Sequence, residues 1–63
     1  MTQKELLYYE DAIGHESNII SILNNSIQEL DNDEIKNYLE NEVLIHQELK
    51  NNLINCLKEN VNG

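Results

Sequence analysis

The five residues LDNDE, Leu30–Glu34, decide how this chain folds. Asp31, Asn32 and Asp33 favour turns and helix caps over helix interiors, because their short polar side chains compete for nearby backbone groups. On both sides of them, apolar residues recur at helical spacing. The spacing therefore predicts a single helical hairpin over residues 1–63: helix 1 over about 2–30, a turn over about 31–33, and helix 2 over about 34–60. A turn this short makes the two helices antiparallel neighbours.

Working back from the turn, helix 1 carries the row Leu6, Ile13, Ile20, Ile27 and a second row Tyr9, Glu16, Leu23, Leu30. The rows alternate steps of three and four, as in a coiled-coil stripe, and Ala12 and Ile19 widen it. Thr2 followed by Glu5 has the pattern of a capping box, marking the helix start. Gly14 in mid-helix costs about 1 kcal/mol relative to Ala and leaves room for a neighbouring helix. Working forward, Asp31 with Glu34, or Asp33 alone, serves to cap helix 2, and the acidic first turn suits its dipole. Helix 2 is read as the rows Ile35, Glu42, Leu49, Cys56 and Leu39, His46, Leu53, Asn60, with Lys58 in its last turn. Cys56 is expected as a small core residue. Tyr8, Tyr9 and Tyr38 are expected near one end of the hairpin, rings buried and hydroxyls wet.

Sixty-three residues bury a modest core, and chains of this size often need a staple or a partner. With Cys56 alone, there is no disulfide framework and no Cys/His cluster of structural zinc type. A two-helix hairpin leaves half of each stripe facing water, and two hairpins packed face to face close it. The expected fold class is all-α: an antiparallel two-helix hairpin that forms a homodimer as a four-helix bundle.

Antiparallel pairing about Asp31–Asn32 places Ile27 opposite Ile35, Leu23 near Leu39, Ile20 near Glu42, Glu16 opposite His46 and Ile13 near Leu49. Glu16, Glu42 and His46 thus converge in mid-bundle between apolar layers. One reading is a hydrogen-bonded polar layer that fixes register at some cost in desolvation. The other is a metal site: a dimer holds four such carboxylates and two imidazoles, the ligand count of carboxylate-bridged bundles, with iron, manganese or zinc as the ion. Those bundles place Glu three residues before His, whereas here Val43 holds that position and Glu42 lies four before His46. His15 points off the stripe towards solvent.

Twelve acidic and four basic side chains give a net charge of −8, which opposes phosphate backbones and anionic lipid surfaces. Nucleic acid is therefore not an expected partner. Nor is membrane insertion expected, since the longest apolar runs are far too short to span a bilayer. A lone cysteine and a start, MTQKELLYYED, without basic and apolar leader regions point to synthesis in a reducing cytoplasm. No Ser-His-Asp set, glycine-rich phosphate loop or basic patch occurs, and Cys56 lacks a positioned base, so no enzymatic activity is expected.

The segment Thr2–Glu16 resembles the opening helix of coat-F-like spore coat proteins of endospore-forming bacteria, through Thr2, Lys4, Glu5, Leu6, Glu10, Asp11, His15 and Glu16. In the second half, DNDEIKNYLEN resembles the Asp-initiated helix of that family. HQELKNNLI resembles its His-Gln-Gln-His stretch, through His46, Gln47, Asn51, Leu53 and Ile54. The family's second histidine and following aromatic fall at Leu49 and Lys50 here, and Glu42 has no clear counterpart. The resemblance covers nearly the whole chain. It implies a ferritin-like fold and a structural role in the spore coat, after synthesis in the mother-cell cytoplasm, with other coat proteins as partners.

Overall fold

The computed structural model describes residues 1–62, with side chains through Val61. Two helices account for nearly all of it: α1, Gln3–Glu29, and α2, Asp33–Asn62, joined by Leu30, Asp31 and Asn32. No strand occurs among the described residues.

The helix starts are made locally. Thr2, in extended backbone, accepts the Glu5 amide proton through Oγ1 at 3.1 Å, while its own amide donates to Glu5 Oε1 at 3.2 Å. Both halves of the capping box are thus formed, and two amides that the helix cannot satisfy itself find partners. At α2 the cap is Asn32, not Asp31 or Asp33: its Oδ1 accepts from the Ile35 amide at 3.0 Å, and its carbonyl accepts from Lys36. Asp33 and Glu34 then occupy the first turn, where their charge opposes the positive end of the helix dipole. The far end also differs from expectation. α2 continues to Asn62, so Lys58 lies a turn inside the helix and not in its last turn.

The molecule measures 46 × 15 × 10 Å, with a radius of gyration of 14.6 Å, against about 11 Å for a compact chain of this length. Ten ångströms is the thickness of one helix with its side chains. The hairpin is therefore a single layer, with no second layer to bury either broad face. Val43, 8% exposed, is the only buried apolar residue among those described.

The two helices meet along one seam each. Along α1 and its cap Leu30 the half-buried stripe is Leu6, Tyr9, Ile13, Glu16, Ile20, Leu23, Ile27 and Leu30, flanked by Ala12, Ser17, Ile19 and Ser26, and it contains the two rows expected. In α2 the seam is Lys36, Leu39, Val43, His46, Lys50, Leu53 and Leu57, flanked by half-buried Glu42 and Ile54. The row Leu39, His46, Leu53 faces inward as read, but the row beside it is not Ile35, Leu49 and Cys56. Those residues are exposed, Ile35 by 47% and Leu49 by 44%, so the Ile27–Ile35 and Ile13–Leu49 layers are not buried in the hairpin. Helix 2 is turned so that Lys36 and Lys50, both half-buried, stand on the seam, a position that long charged side chains tolerate because their aliphatic stems can cover apolar surface. The tyrosines also differ from expectation. Tyr8 and Tyr9 lie near the open end and Tyr38 near the turn, and Tyr8 and Tyr38 are more than 60% exposed.

Candidate functional site

Between the helices stands one polar cluster, at mid-length. Glu16 is the central residue of α1, and His46 lies close to the centre of α2. Antiparallel pairing brings them level, and His46 Nδ1 meets Glu16 Oε2 at 2.5 Å, as the register expected from the turn requires. An ionised carboxylate only accepts, so the imidazole Nδ1–H donates. Both side chains are largely shielded, 23% and 17% exposed. This bond joins residues thirty positions apart, which makes it a lock on how the helices slide past one another.

Glu42 sits one turn before His46 on the same helix, its Oε2 at 4.0 Å from His46 Nε2. The imidazole therefore lies between a carboxylate of each helix, hydrogen-bonded to one and in ion-pair range of the other. Nε2 is the atom left to take a proton or a metal. Orientation of the ring by a carboxylate on Nδ1 is the usual support for a metal-binding histidine. Within one chain, however, no group of three His, Cys, Asp or Glu side chains among the described residues is arranged to hold a metal ion. Glu16, Glu42 and His46 are neighbours, but their donor atoms are directed at one another.

Other titratable groups are peripheral. His15 Nε2 is 3.4 Å from Asp11 Oδ1 with both side chains about 70% exposed or more, a geometry that contributes little in water. Cys56 is exposed, not in the core. No helix among the described residues is long and apolar enough to cross a membrane.

What the row-by-row reading of helix 2 merged was two separate stripes. Ile35, Tyr38, Glu42, Ile45, Leu49 and Cys56 repeat in steps of three and four, or seven, displaced by one residue from the seam Lys36, Leu39, Val43, His46, Lys50, Leu57. That constant offset of one residue is the signal that separates them. The chain matches no protein-family model, and no curated protein or solved structure matches it.

Proposed function

We propose that this protein is a non-enzymatic interaction protein, a helical hairpin that completes its core by pairing with a second copy as a four-helix bundle. The observation that carries this reading is the unfinished core. One buried residue, Val43, stands against exposed Leu7, Ile22, Ile35, Ile45, Leu44 and Leu49, on a chain too short to cover them itself. The likeness of its helices to coat-F-like proteins supports a place among the structural proteins of the spore coat. The test is mass by light scattering across a concentration series. Twice the chain's 7.3 kDa at micromolar concentration is expected; a fully helical monomer throughout that range rejects the reading.

A second reading rests on His46, whose Nδ1 is held by Glu16 and whose Nε2 faces Glu42. Because this cluster lies at mid-length, a two-fold pairing brings two copies of it level. A ferritin-like di-metal dimer would use Glu16, Glu42 and His46 of each chain for iron, manganese or zinc. Elemental analysis of untagged protein distinguishes the two: about two ions per dimer, lost in His46→Ala, supports the metal site. A dimer that stays empty when offered all three metals leaves the cluster as a register lock.

A further inference from the structure

Each helix carries its apolar residues in two stripes. The inner stripe of α1 runs through Tyr9, Ile13, Glu16, Ile20 and Leu23; one residue earlier at every step stand Tyr8, Ala12, His15, Ile19 and Ile22. In α2 the same displacement leads from Leu39, Val43, His46 and Lys50 to Tyr38, Glu42, Ile45 and Leu49. One residue is 100° of helical rotation, close to the right angle between a helix's two neighbours in a four-helix bundle. The displacement has the same sense in both helices. Because they run antiparallel, both outer stripes emerge on the same broad face of the hairpin.

The grooves along the hairpin agree with that geometry. Tyr8, Tyr9 and Ala12 share one groove with Leu53. Asn24 and Ile27 share another with Glu40, Val43 and Leu44, on the opposite side of the seam. The first face carries Tyr8, Ile22, Ile35, Tyr38, Ile45 and Leu49, all 44–64% exposed; the second carries exposed Leu7 and Leu44 and, in a groove with Gln47 and Asn51, half-buried Ile54. Its other positions are mainly polar, including Glu10, Asn24, Glu40, Gln47 and Asn51.

We infer that a second copy of this chain seats its own Ile19, Ile22, Ile35, Ile45 and Leu49 against these same residues, on that face and not the other. The inference rests on the homodimer proposed above and assigns its surface. The area is of the right size. The hairpin exposes 4891 Å², against about 4,200 Å² for a compact monomer of its mass. The excess is close to the roughly 800 Å² that each partner buries in a standard interface. Charge on the face gathers towards its open end, where Lys4 Nζ lies 5.9 Å from the centre of the Tyr8 ring and Asp11 pairs with His15; between Ile19, Ile22, Ile45 and Leu49 the stripes add only Glu42, so pairing like faces sets few equal charges against one another there.

The experiment compares two doubly substituted proteins of equal added charge. Ile22→Glu with Ile45→Glu alters the proposed face; Leu7→Glu with Leu44→Glu alters the opposite one at residues of similar exposure. A two-fold interface meets each change twice. The first pair is therefore expected to weaken dimerisation by roughly a hundredfold while the second leaves it within about threefold, read by sedimentation equilibrium. A dimer lost only in the Leu7/Leu44 protein, or in neither, overturns the assigned face while leaving the homodimer intact. A wild-type monomer removes both. Should either variant lose its helical circular dichroism, or both lose the dimer, the wild-type chain decides. Cys56 lies on the outer stripe, so its alkylation rate is expected to fall several-fold as protein concentration rises through the dimerisation range. A rate independent of concentration in a proven dimer rejects the face.

Discussion

α1 and α2 have similar length and opposite clarity. The inner seam of α1 is apolar at nearly every position, with Glu16 as the exception, and Ile19 and Ile22 stand beside it. The inner seam of α2 is interrupted by Lys36, His46 and Lys50, while Ile35, Ile45 and Leu49 stand outside it. Hydropathy alone would rotate α2 to bury those three. Two constraints hold it back: the Glu16–His46 bond fixes its level and facing, and Val43, deepest of all, sits one turn before His46 on the seam. α1 thus meets its neighbour through an almost wholly apolar seam, and α2 through a seam shared between apolar and charged residues.

The largest effect expected from disturbing that arrangement is at the bond itself. Replacing Glu16 or His46 alone by Leu strands a shielded polar partner and should cost about 1–3 kcal/mol in urea unfolding. Replacing both should be neutral or stabilising, because desolvation of both groups is avoided. A double replacement as costly as the sum of the singles would mean the two side chains act independently and the lock does not exist.

Next comes the contrast between the two stripes of α2. Val43→Ala removes buried methyl groups and is expected to cost about 1.5–2 kcal/mol at any protein concentration. Leu49→Ala should cost less than about 1 kcal/mol in dilute protein and, on the proposed pairing, more as concentration rises, since there a second copy buries it. Equal, concentration-independent costs would collapse the distinction between inner and outer stripe.

Gly14 sharpens the same point on α1. A methyl group built there meets nothing within 4 Å in the hairpin, so Gly14→Ala should stabilise by about 1 kcal/mol through helix propensity. A destabilised variant would place another chain's backbone against Gly14, on a side of α1 that the proposed face leaves open.

The residues explain how far the sequence alone could lead. The turn, the capping box and the α1 stripe were legible because each is local: Asx chemistry, a Thr–Glu pair three apart, and apolar steps of three and four. The Glu16–His46 contact was legible too, since a short turn fixes which residues face one another. Helix 2's facing was not, because Ile35 and Lys36, or Leu49 and Lys50, differ by 100° of rotation and hydropathy favours the residue that lies outside the seam. Asn32 was passed over as cap because three consecutive residues, Asp31, Asn32 and Asp33, have the same capacity, and only backbone position selects among them. Glu42 was expected within the hairpin's core beside Ile20; it lies at the boundary between seam and outer face, near His46 without a hydrogen bond to it.

The smallest effect lies at the α1 start, away from both stripes. Hydrogen bonds from the Thr2 hydroxyl, then from the Thr2 backbone amide, hold the Glu5 carboxyl below its ordinary value of 4.5. A carboxyl whose folded value is depressed adds stability above its unfolded value and loses it as pH falls through the folded one. The Glu5 contribution is therefore constant near neutrality and disappears below about pH 4.5. Glu5→Gln keeps an acceptor oxygen but removes the titration, so the variant's melting temperature should fall less steeply than wild type on the acid side, with parallel behaviour at neutral pH. Carboxylates elsewhere on this acidic chain titrate in both proteins and cancel in the comparison. Superimposable acid limbs would show that the capping box, though formed, leaves the Glu5 proton unaffected by folding; a wild-type excess confined to the acid limb would tie that part of the pH dependence to the first turn of α1, the helix end farthest from the connecting turn.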